Sequence, residues 1–301
     1  MKRRTFIKNT AASATLLSMG SLLLSCDHRS AKKITILHTN DVHSHIDAFG
    51  PNDGRNANKG GVARRASLIQ KLRKENPNTL LLDAGDIFQG TPYFNFYGGE
   101  LEFKLMSMLD YDLATIGNHD FDNGIDGLYA QLPNAKFDFV SANYDFKNTV
   151  LDTHVKPYKV LNKVGIKIGI FGLGIELQGL VSKDAYKETK YLDPIEIAQD
   201  MSRILKTEEQ CDLIICLSHL GYEYKYPQKI SDRNLARATK DIDLIIGGHT
   251  HTFLDEPTIE TNAVGKSVLV NQVGCYGLYL GRVDFYLDAK GKYFSSRALK
   301  I

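Results

Sequence analysis

The amino-acid sequence predicts an α/β fold, in which buried β-strands alternate with amphipathic helices. Short apolar runs such as residues 80–82 and 213–217 are typical of strands that are buried on both faces. They alternate with stretches such as residues 62–72, whose apolar positions recur with helical spacing. The chain of 301 residues shows no internal repeat or low-complexity tract, which favours one compact domain with a sizeable core.

The composition is that of an ordinary globular protein, with 43% apolar and 24% charged residues, and it excludes extensive disorder. The formal net charge is +2, but residues 1–25 hold four of the basic residues and no acidic residue. The remainder therefore carries a slight negative charge. This balance does not favour a nucleic-acid polymer or an anionic membrane surface as a partner.

Residues 1–25 are predicted to be an export leader, followed by a polar tether at residues 26–32. The pair Arg3-Arg4 with Phe6 and Ile7 behind it resembles the twin-arginine export signal. The apolar run at residues 11–24 is too short to span a bilayer. It ends at Cys26 in a sequence that resembles a bacterial lipobox, so we expect an exported, lipid-anchored protein of the periplasm or cell envelope. A plain cleaved signal with an incidental cysteine remains the alternative.

The rest of the chain, residues 33–301, is predicted to form one domain. Strands are predicted at residues 34–37, 80–82, 113–116, 137–141, 158–161, 166–171, 213–217 and 244–246, with only strands and turns from 259 onward. Helices are predicted from residue 62 to a stop at Pro77, and at 100–109, 125–132, 194–209 and 232–239.

Side chains that bind metal ions follow five of these strands. They are Asp41 with His43, Asp86, Asn118 with His119, His219, and His249 with His251. Ligands in α/β proteins bind at the carboxyl ends of strands, and residues two apart on an extended segment share one side. Two such pairs can hold one ion from opposite sides, and one carboxylate, Asp86, can bridge two ions. Imidazole, carboxylate and amide ligands suit zinc, manganese or iron.

Each fragment alone has a simpler interpretation. An isolated Asp-x-His is usually a turn, and His219 alone would more often be a hydrogen-bonded core histidine. Their joint occurrence in this order, each after a strand, predicts a site for two divalent cations. Within residues 117–122, His119 offers an imidazole that titrates near neutrality, and Asp122 offers a carboxylate that can orient it.

The order of these motifs resembles the calcineurin-like metallophosphoesterases, and in particular the catalytic domain of bacterial periplasmic 5′-nucleotidases. The resemblance covers about residues 33–290 and implies a four-layer α-β-β-α sandwich of two mixed sheets, with a dimetal site at the carboxyl edges. It implies that one metal is held by Asp41, His43, Asp86 and His251, and the other by Asp86, Asn118, His219 and His249. Many nucleotidases have glutamine in place of His251.

The resemblance also implies the chemistry. The expected activity is that of a 5′-nucleotidase-type phosphomonoesterase, in which a hydroxide activated by two metal ions attacks phosphorus. His119 would contact the phosphoryl group rather than a metal, with Asp122 behind it. The alternatives are a phosphoesterase of broad or cyclic-nucleotide specificity and a non-catalytic, lipid-anchored binding protein.

Two further features have more than one interpretation. The resembling nucleotidases have a C-terminal domain that contacts the nucleoside and is not expected in residues 33–301, so a separately encoded partner could supply those contacts. The aromatic side chains at residues 93–97 could line the mouth of the site or pack on the following helix.

Cys211, Cys216 and Cys275 are interpreted as small core residues, with no disulfide framework.

Overall fold

The computed structural model describes residues 31–226, 229–289 and 291–301. The predicted leader and Cys26 lie outside the described residues, as does most of the predicted tether. The first strand begins at Lys32, at the end of that tether. Within the described ranges, no helix has both the length and the apolar character needed to cross a bilayer.

Most strands of the described chain belong to two six-stranded sheets. The strands are β1 (Lys32–Thr39), β2 (Thr79–Asp83), β3 (Leu113–Ala114), β4 (Asp138–Phe139), β5 (Tyr144–Asp145), β6 (Tyr158–Lys163), β7 (Ile166–Gly174), β8 (Lys190–Tyr191), β9 (Leu213–His219), β10 (Leu244–Gly247), β11 (Thr258–Thr261), β12 (Ser267–Asn271), β13 (Tyr279–Asp288) and β14 (Gly291–Lys300). The first sheet has the order β14-β13-β1-β2-β3-β4 and the second β11-β12-β10-β9-β7-β6, while β5 pairs with β8.

Both sheets are mixed, as expected. In the first, β1 to β4 are parallel, and β13 and β14 add antiparallel strands on one side. In the second, β12, β10, β9 and β7 are parallel, and β11 and β6 are antiparallel strands at its two edges. The parallel strands extend from β1 to the edge strand β4 in the first sheet and occupy the middle of the second, so each sheet has one edge formed by their carboxyl ends.

The α-helices of the described residues lie in the connections between these strands. They are α1 (Val62–Glu75), α2 (Pro92–Tyr97), α3 (Glu100–Met108), α4 (Gly124–Gln131), α5 (Lys183–Tyr186), α6 (Pro194–Arg203) and α7 (Asp232–Ala238). Helix α6 begins where predicted, because Pro194 takes its first turn and the Asp193 carboxylate accepts hydrogen bonds from the backbone N–H groups of Ile195 and Glu196. Its continuation to residue 209 was predicted as α-helix but widens into a π-helical turn at Ile204–Glu208.

Alternating apolar side chains on the strands form three apolar clusters, one between the sheets and one on the outer face of each sheet. On β9, Leu213, Ile215 and Leu217 pack between the two sheets, whereas Ile214 and Cys216 pack in the cluster that includes residues of α6 and α7. A third cluster joins the first sheet to α1 and α3. Helices therefore cover the outer faces of both sheets, and the predicted four-layer α-β-β-α architecture is confirmed.

The sheets approach each other so closely at Gly172 on β7 that no side chain fits. A Cβ atom there would lie 2.0 Å from the Val140 carbonyl oxygen and 2.5 Å from Thr115 Oγ1. We expect Gly172→Ala to lower the free energy of unfolding by about 1–3 kcal/mol, because the backbone of Val140 must move. Urea denaturation would measure this loss, with Ser295→Ala on the exposed face of β14 as the control. Equal stability of the two variants would contradict the close approach.

Candidate metal centre

The seven predicted metal-ligand positions all lie where parallel strands end. Asp41 and His43 follow β1, Asp86 follows β2, Asn118 follows β3, His219 ends β9, and His249 and His251 follow β10. The fold brings these segments into direct contact: the rings of His43 and His251, 208 positions apart in the chain, meet with their Nε2 atoms 3.0 Å apart. The site therefore uses strand ends from both sheets.

The backbone at five of these positions adopts a left-handed conformation. The φ angles are 49° at Asp41, 50° at His43, 56° at Asp86, 71° at His249 and 50° at His251. Residues other than glycine adopt such angles rarely, and they do so mainly at functional sites where surrounding contacts enforce them. Here the Asp41 N–H donates to the Gly85 carbonyl at 2.9 Å, and the His43 N–H donates to the Asp86 carbonyl at 3.0 Å. The two loops thus hold each other in this conformation.

Asp41, His43 and His251 form the first candidate ligand group. His251 Nε2 lies 3.4 Å from Asp41 Oδ1, and His43 Nε2 lies 4.0 Å from the same oxygen. All three ligand atoms lie within 4.8 Å of one another, so one ion could contact all of them.

Asp86, His219 and His249 form the second group. Here His219 Nε2 lies 3.0 Å from Asp86 Oδ2. Asn118 extends this group, because its Oδ1 lies 2.8 Å from His249 Nδ1. The group therefore combines a carboxylate, two imidazoles and an amide oxygen, which together suit zinc, manganese or iron.

Asp86 links the two groups. Its Oδ2 atom lies 3.8 Å from His43 Nε2 in the first group and 3.0 Å from His219 Nε2 in the second. The carboxylate is fully buried. It is therefore placed to contact ions in both groups.

The imidazole orientations fit a pair of metal ions. His219 Nδ1 lies 2.7 Å from the Ala84 carbonyl and His43 Nδ1 lies 3.2 Å from the Phe88 carbonyl, so each Nδ1–H donates there and the lone pair of the neutral ring is on Nε2. His219 Nε2 is buried and has no aligned hydrogen bond, even though Asp86 is close. The Nε2 atoms of His43 and His251 lie 3.0 Å apart, a distance at which either a shared proton or a metal ion bound nearby relieves the repulsion of two lone pairs.

The electrostatics of the site also favour cations. Among the described residues, no lysine or arginine forms an ion pair with Asp41 or Asp86. A hydrogen bond to Asp41 raises the pKa of His251 to about 10. Burial alone would lower the pKa of His219, but Asp86 and Asp41 raise it to about 10. Burial holds the pKa of His249 at about 4, which keeps that ring neutral and able to bind a metal.

His119 and Asp122 form a pair beside the two groups. His119 Nδ1 lies 2.8 Å from Asp122 Oδ2, and this hydrogen bond raises the pKa of His119. The His119 side chain is 39% exposed, whereas those of His43 and His219 are 5% and 0% exposed. Its backbone N–H donates to Asp86 Oδ1 at 2.8 Å. His119 is therefore anchored to the centre through its backbone, while its ring stays accessible to a bound molecule.

Residues 34–253 match the sequence profile of the calcineurin-like phosphoesterases. The chain belongs to this family. Snake venom 5′-nucleotidase of Crotalus adamanteus is 36% identical to it over 285 residues, which cover 88% of this chain and 47% of that protein. The chain thus spans about half the length of the curated relatives that it matches first.

Two solved structures have the same fold. The 5′-nucleotidase precursor of Thermus thermophilus superposes with a TM-score of 0.81 at 35% identity, over 90% of this chain and 55% of that one. The calcineurin-like phosphoesterase YfkN of Bacillus subtilis superposes with a TM-score of 0.74 at 27% identity, over 89% of this chain and 91% of that one. These similarities confirm the predicted family and the predicted sandwich.

In this calcineurin-like phosphoesterase, the buried residue Asp120 ties together the loops that carry Asp86 and Asn118. Its carboxylate accepts hydrogen bonds from the backbone N–H groups of Asp86, Ile87, Phe88 and Gly117 at 2.8–3.1 Å. The sequence reasoning placed Asp120 in the motif but gave it no role. Its position directly after Asn118 and His119, as a carboxylate within the ligand-bearing motif, was the signal that could have indicated one.

Gln272 holds the loop between the two histidines of residues 249–251. Its Nε2 donates to the Gly248 carbonyl at 2.6 Å, and its Oε1 accepts from Thr250 Oγ1 at 3.2 Å and from the backbone N–H of Thr252. Sequence reasoning missed this buried amide. Its signal was the one used elsewhere, a polar side chain directly after an apolar strand.

We expect Gln272→Ala to weaken binding of divalent cations by about 10–100-fold, because residues that orient metal ligands have effects of this size. Competition with a chromogenic chelator would measure the affinity. Asn262→Ala is the matched control, since Asn262 is a buried amide whose Oδ1 accepts from the N–H groups of Val264 and Lys266, away from the candidate ligands. Equal affinities of both variants would show that Gln272 does not orient the histidine loop.

The interpretation of all three cysteines as core residues is wrong for one of them. Cys211 and Cys216 are buried, as expected, but Cys275 is only half-buried and adjoins His251. The loop after β12 bends toward the candidate metal centre, which the continuous strand pattern of the sequence does not indicate. All three thiols are free.

Proposed function

We propose that this protein is a dinuclear metal-dependent phosphomonoesterase with nucleoside 5′-monophosphates as its main substrates. The observation that carries the proposal is the position of Asp86, 3.0 Å from His219 and 3.8 Å from His43, between two ligand groups. Nitrogen and oxygen ligands in this arrangement suit two divalent cations of zinc, manganese or iron. The His119–Asp122 pair beside them adds a proton donor.

The proposed ligands divide between two ions. Asp41, His43, Asp86 and His251 would hold one, and Asp86, Asn118, His219 and His249 the other. This division follows the two groups of the structure, with Asp86 shared and the Asn118 oxygen added beside His249. Divalent cations in such a pair supply Lewis-acid activation of water and neutralise charge on phosphoryl oxygens.

His119 and Asp122 carry the proton chemistry of the proposal. Asp122 accepts a hydrogen bond from the Nδ1–H of His119, which fixes the tautomer and favours the protonated ring. The other nitrogen, Nε2, can then donate a hydrogen bond to a phosphoryl oxygen or a proton to the departing alkoxide. Hydrogen-bond donors and general acids at such positions contribute about 10²–10⁴-fold to the rate.

The choice of nucleotides rests on the relatives. The matched proteins from Crotalus adamanteus and Thermus thermophilus are named 5′-nucleotidases. Because the chain spans about half of their length, the nucleotide preference is part of the proposal. A phosphoesterase of broader or cyclic-nucleotide specificity is the competing activity.

One experiment tests these assignments together. Purified protein would be stripped with a chelator, reloaded separately with zinc, manganese or iron, and assayed on AMP, 3′,5′-cyclic AMP and p-nitrophenyl phosphate. We expect about two ions per chain and the highest kcat/KM on AMP. Higher kcat/KM on cyclic AMP would assign a phosphodiesterase instead. Bound metal without turnover of any ester would refute the enzymatic proposal and favour a binding protein.

We also propose that the protein is exported and anchored by a lipid on Cys26. The basis is the sequence of residues 1–26, which resembles a twin-arginine signal that ends in a lipobox. Cys26→Ser should move the protein from the membrane fraction to the soluble envelope fraction, and Arg3→Lys with Arg4→Lys should block export. Unchanged fractionation of both variants would remove the basis for this proposal.

A further inference from the structure

Three aromatic rings form a wall beside the first ligand group. They belong to His45, Phe49 and Tyr276, and we call them the aromatic wall. His45 stacks on Phe49 with ring centroids 4.9 Å apart and an interplanar angle of 20°. Tyr276 lies 4.4 Å from the His45 ring and 6.1 Å from the Phe49 ring. The three rings are half-buried, so part of each stays accessible to solvent.

The wall borders the candidate metal centre directly. The Tyr276 ring centroid lies 6.0 Å from that of His43 and 5.8 Å from that of His251. Both histidines belong to the first ligand group. A molecule with a phosphoryl group at the first ligand group would therefore have the Tyr276 ring beside it, because that ring lies 5.8–6.0 Å from two of the candidate ligands.

The backbone fixes Tyr276 in this place. Its N–H donates to the Asp41 carbonyl at 2.7 Å, and its φ angle of 61° lies in the left-handed region that few residues with a side chain adopt. Such conformations persist where surrounding contacts enforce them, and they concentrate at binding sites. This hydrogen bond joins the backbone of Tyr276 to that of Asp41, a candidate metal ligand. It therefore fixes the distance between the aromatic wall and the candidate metal centre.

The loop that carries the other two rings is also held. The Phe49 N–H donates to the Lys59 carbonyl at 2.9 Å, and the Tyr93 hydroxyl donates to Asp47 Oδ2 at 2.6 Å. Tyr93 belongs to α2, so that helix braces the loop from residue 45 to residue 49.

The simpler interpretation is that these rings are part of the hydrophobic core. None of the three belongs to the apolar clusters that join the sheets to each other and to the helices. The Tyr276 ring instead lies beside the imidazoles of two candidate ligands, at interplanar angles of 56° and 72°. This position favours a ligand-facing role.

We propose that the aromatic wall binds the planar ring carried by the leaving group of the substrate, which is the nucleobase of a nucleoside or another aromatic ring of a phosphomonoester. This inference rests on the proposed function and adds the group that selects among phosphomonoesters. Stacking recognises the face of a ring rather than its hydrogen-bonding edge, so purine, pyrimidine and simple aryl esters should all be favoured over aliphatic ones.

The test compares one aromatic and one aliphatic substrate. The kcat/KM for AMP divided by that for glycerol 1-phosphate would be measured for the metal-loaded protein and its variants. In Tyr276→Ala this ratio should fall about tenfold, which is the order of one lost base–aromatic stack. The fall should come from KM for AMP. Tyr276→Phe should keep the ratio of the unaltered protein, because the ring face remains.

Further variants separate stacking from other effects. Phe49→Ala should also lower the ratio, which keeps the test valid if Tyr276→Ala does not fold. Tyr293→Ala removes an exposed ring from β14, 51% exposed, and should leave the ratio unchanged. An unchanged ratio in both wall variants, or equal losses on both esters, would overturn the inference.

Failure of the inference differs from failure of the proposed function. If the unaltered protein hydrolyses AMP and glycerol 1-phosphate but the wall variants keep its ratio, the phosphomonoesterase stands and the wall does not select substrates. If the unaltered protein hydrolyses neither ester, both are refuted. A drop in the ratio for Phe96→Ala but not for Tyr276→Ala would place the selecting ring on α2 and overturn the assignment to the wall.

Discussion

Asp86→Asn is expected to lower the affinity of both ligand groups for divalent cations and to reduce hydrolysis by more than about 100-fold. The carboxylate lies 3.0 Å from His219 Nε2 and 3.8 Å from His43 Nε2, so its charge acts on both groups. Asparagine keeps the volume but removes that charge. Even residues that only orient metal ligands change affinity by about 10–100-fold, and a shared ligand should exceed them.

The measurement is the number of ions per chain after equilibrium dialysis at several metal concentrations. Asp284→Asn is the matched control, because Asp284 is a buried aspartate that pairs with Lys33 and Arg282. This control should retain two ions per chain. If Asp86→Asn retained one ion at the affinity of the unaltered protein, Asp86 would belong to a single group, and the bridging role would be wrong.

The central strands could be predicted from the sequence because they are almost wholly apolar. The runs at 213–217 and 244–246 correspond to strands Leu213–His219 and Leu244–Gly247. The run predicted at 113–116 forms only the short strand Leu113–Ala114. Its neighbour β2 ends at Asp83, which pairs with Ala114, so no partner continues the ladder. Strand length thus depends on a neighbour that the sequence does not indicate.

Several short elements were not predicted, because they depend on contacts with distant segments or combine buried and exposed side chains. The small sheet pairs Tyr144–Asp145 with Lys190–Tyr191, and neither segment has a strand pattern of its own. Helix α2 contains the aromatic side chains that could line the site or pack inside. Both alternatives hold in part: Phe94 packs 5.2 Å from Phe88 in the core, whereas Phe96 is 82% exposed.

The candidate ligands were predictable because each follows an apolar strand directly. The residues that hold them in place were not, because their roles depend on loop conformation. Asp120 accepts four backbone N–H groups only because the loops at Asp86 and Gly117 turn toward it. The aromatic wall likewise depends on the left-handed backbone conformation of Tyr276, which could not be predicted from the sequence.

His119→Ala is expected to lower kcat by about 10²–10⁴-fold while two ions per chain remain bound. The ring of His119 lies outside both ligand groups, and its Nδ1 bonds to Asp122 at 2.8 Å. The contact that His119 makes with Asp86 comes from its backbone N–H at 2.8 Å, and alanine keeps that group. The variant should therefore lose a proton donor without disturbing the bridging carboxylate.

Metal content and single-turnover rates on AMP would be measured on the same preparations. His154→Ala is the control, because His154 is an exposed histidine that packs edge-on against Tyr129. It should keep both the rate and the ions. Loss of metal in His119→Ala, in parallel with the rate, would make His119 a ligand and contradict the role proposed for it.

Asp122→Asn tests the role of the orienting carboxylate, because it removes that charge and keeps the His119 ring. The hydrogen bond to Asp122 raises the pKa of His119, so a protonated donor persists to higher pH than an isolated imidazole would allow. Without that carboxylate the pKa should fall, and kcat should begin to decline at a lower pH on the alkaline side. We expect kcat to decline at a lower pH than in the unaltered protein, and the reduction in kcat to be smaller than in His119→Ala. If kcat declined at the same alkaline pH as in the unaltered protein, His119 would not act as a proton donor.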